Sequence, residues 1–229
     1  MLIENAKGRK DGHSGYSRLL GNEELGCLIS KLQSTVISNG TELEKMILDR
    51  SKLIDELDSF VFKAIEGAMP QGVYVCTKKV FKQSKVYYID ALKGIEPDLL
   101  VFVVEVNRVC KIVELKDGDA FDTKKSQGEY EHLSTFSTIF GARIPFVAEF
   151  YICSFNQDDK EIIYNGFKKK FDYSHILTGK ELCEILNIDY DEILELRKKD
   201  REANLQYFLD ELYKIDDVRN YFKQKFDRR

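Results

Sequence analysis

Tryptophan is absent from this 229-residue chain, and only three histidines occur, His13, His132 and His175. Their spacing suits neither a zinc site nor a histidine-based metal nuclease, so each reads as structural or exposed. No Gly-x-x-x-x-Gly-Lys-Ser/Thr loop is present, which argues against ATP-driven work, and no nucleophile elbow offers an activated serine. Apolar runs stop short of a membrane span, and residues 1–12 are polar rather than signal-like, so a cytoplasmic protein with no membrane partner is expected. The five cysteines, Cys27, Cys76, Cys110, Cys153 and Cys183, are scattered singly with no Cys-x-x-Cys pair. They suit a reducing compartment and small core positions better than zinc ligation. Internal repeats and low-complexity segments are also missing.

What is present can build a core. With 43% hydrophobic residues, 12 Tyr and 15 Phe, the chain can bury one substantial core, or one core with a smaller appendage. A net charge of −4 does not advertise a nucleic-acid binder, but the charge is unevenly spread. Between Glu66 and Asp90 there is no acid, while Lys78, Lys79, Lys82 and Lys85 lie among Tyr74, Phe81, Tyr87 and Tyr88. Residues 98–122 are rich in acids. A basic strip adjoining an acidic pocket is what a metal-dependent enzyme acting on a polyanion needs. For any single lysine, a solvated sheet edge is an equally good reading.

The stretch Pro97 to Lys116 organises the rest. Two apolar, β-branched runs flank a polar turn near Asn107-Arg108, which predicts a β-hairpin. Its charges sit at the open end: Asp98 starts one strand, and Glu114 and Lys116 finish the other. Glu114 and Lys116 are two apart and so share a face. Burying such charges without partners is costly, and a divalent cation with oxygen ligands is the natural partner.

Pro97-Asp98 followed by Glu114-Leu115-Lys116 resembles the PD-(D/E)XK nuclease signature. The resemblance implies a metal site of Asp98, Glu114 and the Leu115 carbonyl, one or two Mg2+ ions with Mn2+ as substitute, and Lys116 as a catalytic ammonium. It also implies a glutamate on the preceding helix, for which Glu44 in Gly40-Thr41-Glu42-Leu43-Glu44 is the candidate, directly or through water, with Glu42 in reserve. The same residues make Thr41 and Glu44 a plausible capping box.

Around the hairpin, Asn22 to Val36 reads as a helix stopped by Asn39-Gly40, and a second helix runs from Thr41 to Ile65, ended by Gly67 and Pro70. β-rich runs at Val73–Thr77 and Lys85–Ile89 precede the hairpin. Thr123–Phe140 is helical, and Ile144–Phe155 is a buried strand. The expected fold is α/β, a restriction-endonuclease-like αβββαβ core with a mixed central sheet flanked by helices and a helical C-terminal addition. The expected divisions are 1–40 (arm and helix), 41–155 (nuclease core) and 156–229 (mostly helical, packed on the core). Asn156–Tyr173 has no clear assignment, Thr178 to Glu181 forms a second capping-box pattern, and the chain from Asp189 is helical.

A small chain without a motor region, in this build, is most similar to a Type II restriction endonuclease. That implies sequence-specific hydrolysis of double-stranded DNA leaving 5′-phosphate ends, a homodimer matching a palindromic site, and a cognate DNA methyltransferase. The alternatives are another nuclease of the superfamily, of repair or resolvase type, or a non-cleaving DNA-binding module. Candidate DNA contacts are Lys78, Lys79, Lys82, Lys85, Lys124 and Lys125, with Arg9, Lys10, His13 and Arg18 of the arm as weaker ones. Gln127 and His132 follow on the helix after Lys116.

Overall fold

The computed structural model describes residues 1–7 and 15–226, so Arg9, Lys10 and His13 lie outside the described residues. The chain divides into two compact units, Met1–Glu42 with Asp191–Arg229, and Leu43–Tyr190.

The first unit is helical. It contains α1 (Gly15–Leu20), most of α2 (Glu23–Leu48), α8 (Tyr190–Lys214) from its second residue onward, and α9 (Asp216–Phe226). Asn22 starts α2 by accepting the Leu25 N–H at 2.8 Å. At Gly26 a Cβ would lie 2.8 Å from the Ser17 Cα, so only glycine permits the close approach of α1 to α2. The start of the N-terminal arm is tied to α8: the Met1 ammonium pairs with Asp200, and the Ile3 N–H donates to Asn204 Oδ1 at 2.7 Å.

The second unit is α/β. In chain order it holds the end of α2, α3 (Leu57–Ile65), β1 (Gly72–Thr77), α4 (Lys78–Gln83), β2 (Leu99–Val104), β3 (Val109–Lys116) and α5 (Thr123–Gly141). Then come β4 (Val147–Ser154), α6 (Lys160–Gly166), β5 (Ile176–Thr178) and α7 (Gly179–Leu186). The five strands form one mixed sheet in the order β1-β2-β3-β4-β5. β1, β2 and β3 are an antiparallel meander, whereas β4 and β5 join in parallel. Parallel pairing needs a crossover, and α5 supplies it between β3 and β4.

One sheet face carries Leu100, Phe102, Cys110, Ile112, Phe150 and Ile152, all buried in the main core with Phe60 and Val61 of α3 and Leu133, Phe136 and Phe140 of α5. Rings interlock there, with Phe60 to Phe102 at 5.1 Å, Phe102 to Phe146 at 5.0 Å and Phe81 to Phe136 at 5.2 Å between centroids. α5 turns this face inward because Ser126, Leu133, Phe136 and Phe140 recur at helical spacing.

Several expected boundaries are corrected. The helix does not stop at Asn39-Gly40; α2 runs unbroken through both. A glycine inside a helix costs about 1 kcal/mol, less than is recovered by continuing the helix to bury Leu43 and Ile47 completely. The second expected helix begins only at Leu57, because residues 52–54 run extended beside β1, with Ile54 N–H donating to Val75 O at 2.9 Å and Val75 N–H to Lys52 O at 2.8 Å. Lys85–Ile89 is not a strand. Asp58 on α3 captures it instead, accepting from Ser84 Oγ at 2.5 Å and from the Lys85 N–H at 3.0 Å. The strand expected from Ile144 starts at Val147, and the unassigned stretch after Asn156 contains α6. The second capping box forms as expected, with Thr178 and Glu181 bonded reciprocally at the start of α7.

Candidate active site

The register of β2 on β3 pairs Leu99 with Val113, so one step further places Asp98 opposite Glu114. Residues opposite one another in an antiparallel pair project to the same face, which Lys116 shares with Glu114. The backbone here is fixed from two sides. The Leu115 N–H donates to Asp98 Oδ2 at 2.8 Å, and the Phe155 N–H, just past β4, donates to the Lys116 carbonyl at 2.9 Å.

Lys116 Nζ donates to Glu114 Oε1 at 2.5 Å and to Glu129 Oε1, on α5, at 2.9 Å. The three side chains are 15%, 14% and 19% exposed. The Phe121 ring lies 5.8 Å from the same ammonium. Glu114 and Glu129 line a cleft of about 120 Å³ with Lys78, Glu96, Pro97 and His132.

Electrostatics follow from this crowding. Burial, then the charge of Asp98, push the Glu114 carboxyl up to about 7 against the pull of Lys116. Burial also raises Asp98, although the Leu115 N–H, Lys116 and Lys78 oppose it. For Lys116, burial works against the charged form, but Glu114 and Glu129 outweigh it and hold the ammonium above its usual range.

Glu44 belongs to the cluster electrostatically: burial and then Asp98 raise its carboxyl, with Lys78 opposing. Because α2 is continuous, Thr41 lies in a helix interior and the capping-box reading of Glu44 is overturned. Glu42 falls in the other unit.

The basic candidates are distributed unequally. Lys78 and Lys82 belong to the short helix α4 rather than to a sheet edge, and both pair with Glu96, at 3.4 and 3.0 Å. Burial works against the Glu96 charge, but Lys82, Tyr88 and Lys78 together hold its carboxyl below the usual range. Lys125 lies 4.2 Å from the Phe121 ring centroid that Lys116 also faces. Lys79, Lys85 and Lys124 are exposed. Gln127 donates to Glu131 at 2.7 Å, whereas His132 lines the cleft.

Glu129 was not singled out by sequence reasoning. Its signal was its position: three residues after Ser126 and four before Leu133, a carboxylate falls on the margin of the buried stripe of α5. The chain thus presents an α/β unit with a charge-paired cleft at one end of a mixed sheet.

Type II restriction enzyme HhaII of Haemophilus parahaemolyticus is 59% identical to this chain over 225 residues, which cover 98% of the chain and 99% of the relative. The chain belongs to the family of Type II restriction enzymes. No family model matches it, and no solved structure does.

Proposed function

We propose that the chain is a Type II restriction endonuclease that hydrolyses double-stranded DNA at a specific sequence through a PD-(D/E)XK site of Asp98, Glu114 and Lys116. One observation carries the reading: the hairpin register sets Asp98 opposite Glu114, with Lys116 on the same face and paired to it. The order α3-β1-β2-β3-α5-β4, interrupted by α4 and the 3-10 turn Asp90–Leu92, supports a restriction-endonuclease-like core.

The donor set fits magnesium, with manganese as substitute. Asp98, Glu114 and the Leu115 carbonyl offer hard oxygen ligands, and Glu44 could act directly or through water. Among the described residues, no group of three or more His, Cys, Asp or Glu side chains is already gathered to hold a metal. What supports the fit is surplus negative charge, since burial and the charge of Asp98 raise the carboxyls of both Glu44 and Glu114. A divalent cation held there supplies positive charge against the phosphate and makes water more acidic.

The chain's own groups do the rest. The Lys116 ammonium holds a non-bridging phosphate oxygen and stabilises negative charge as the transition state forms. Lys78, beside the cleft, and Lys125, near Phe121, bind flanking phosphates, and the exposed Lys79, Lys82, Lys85 and Lys124 extend that basic surface. Products carry 5′-phosphate ends. The enzyme acts as a homodimer in the cytoplasm, beside a methyltransferase that protects the same sequence.

Purified protein incubated with plasmid DNA and magnesium tests this. Discrete fragments, abolished by EDTA and carrying 5′-phosphates by end sequencing, are expected. A smear, or preference for branched DNA, would point to a repair or resolvase-type nuclease. No cutting with any divalent metal would leave a DNA-binding module.

A further inference from the structure

We propose that Glu129 is the positioning residue for Lys116: it keeps the ammonium aimed into the cleft when Glu114 gives up its bond to Lys116 to hold a cation. The proposal rests on the catalytic role assigned above to Lys116.

Lys116 has two carboxylate partners on different elements. Glu114, at 2.5 Å, lies two residues back on the same strand, and Glu129, at 2.9 Å, lies on α5. They are not equivalent. If Glu114 directs its oxygens to a cation, its bond to Lys116 weakens, and the ammonium is left in a pocket where its side chain is only 15% exposed. A poorly solvated ammonium without an anion is costly, and a flexible lysine stem would swing away. Glu129 prevents that.

Its own placement is rigid. Asp122 caps α5 through the Lys125 N–H at 2.8 Å, Ser126 Oγ donates to the Asp122 carbonyl at 2.9 Å, and Phe136 and Phe140 anchor the helix with no exposed surface. The Phe121 ring adds an apolar, electron-rich wall 5.8 Å from the ammonium. Glu129 therefore fixes Lys116 from a part of the fold that does not depend on the hairpin. A site with its reacting group held within a fraction of an ångström reacts faster than one in which that group wanders.

Single-turnover cleavage, with enzyme in saturating excess over DNA and with saturating magnesium, tests this with Glu129→Ala, Glu129→Gln, Lys116→Met and the Glu129→Ala/Lys116→Met double variant. Glu129→Ala is expected to lose about tenfold or more in rate with the enzyme concentration at half-maximal rate within about threefold, and Glu129→Gln, which keeps an acceptor for Lys116, to recover part of the loss. Because Glu129 acts through Lys116, adding Glu129→Ala to Lys116→Met should change the remaining rate by less than about twofold.

Calcium affinity of the DNA-free protein, measured by calorimetry, supplies a readout other than cleavage. It should stay within about fivefold in Glu129→Gln and fall more than about tenfold in Glu114→Gln. Wild-type rates in Glu129→Ala beside an inactive Lys116→Met would overturn the proposal, as would multiplicative losses in the double variant. A collapse of calcium affinity in Glu129→Gln would make Glu129 a ligand instead, which also overturns it. Wild-type cleavage by Lys116→Met would instead refute the catalytic role of Lys116 itself, a result the other variants cannot mimic.

Discussion

Lowering the pH from 8 to 6 should weaken calcium or magnesium binding by the DNA-free protein, and the expected magnitude follows from Glu114. Its carboxyl is pushed up to about 7, so near neutrality about half the molecules carry a proton where a cation would bind. A cation that takes this oxygen must displace the proton. The apparent dissociation constant then scales as one plus the ratio of protonated to ionised Glu114, about 1.1 at pH 8 and about 11 at pH 6, a tenfold loss of affinity. Asp98 is shifted in the same direction, so its titration can only steepen the dependence. Calorimetry at the two pH values, in buffers of different ionisation enthalpy, measures both the affinity and the protons released. Glu114→Gln should flatten the profile. An affinity that changes by less than about twofold between pH 6 and 8 would refute the placement of Glu114 in a buried, proton-holding cation site.

The remaining predictions concern stability, rate and DNA affinity. Without a cation, Glu114 titrates higher in the folded chain than its ordinary 4.5, so its contribution is fully present below that value and is lost as pH rises through about 7. The loss is at most about 3 kcal/mol, so the cation-free protein should melt lower at pH 8 than at pH 5.5, and calcium should reverse the difference. Asp98→Asn keeps an acceptor for the Leu115 N–H and should lose about a hundredfold or more in cleavage rate while melting near wild type. A Glu44→Gln variant should lower cleavage at limiting magnesium without lowering the melting temperature, and unchanged activity would remove Glu44 from the site. Lys78→Ala should weaken binding to all DNA sequences alike and reduce the slope of log affinity against log salt by about 1, whereas a selective loss for one sequence would make Lys78 a base contact.

The central hairpin was legible because its information is local. Two apolar, β-branched runs set the strands, the turn near Asn107 set the pairing, and the period of two put Glu114 and Lys116 on one face. The helix α5 was legible for the same reason, its buried residues recurring at helical spacing. Elsewhere the local signals competed with contacts that no window of sequence contains. Asn39-Gly40 carries a helix-stop signal, yet Leu43 and Ile47 are completely buried and carry α2 through it. Lys85–Ile89 has strand composition, yet the Asp58 carboxylate, 27 residues before Lys85, holds its first residues out of the sheet.

By itself the sequence determined the apolar hairpin, the carboxylates and the ammonium at its open end, and the helix that follows, since each depends on spacing along a few neighbouring residues. Only the tertiary structure decided what surrounds Lys116. The approach of Glu129 from α5, the pairing of Lys78 with Glu96 and the proximity of Glu44 to Asp98 join residues 13, 18 and 54 positions apart. Such encounters are fixed by how the helices bury their apolar faces on the sheet, and that packing leaves no periodic mark on the charged residues it brings together.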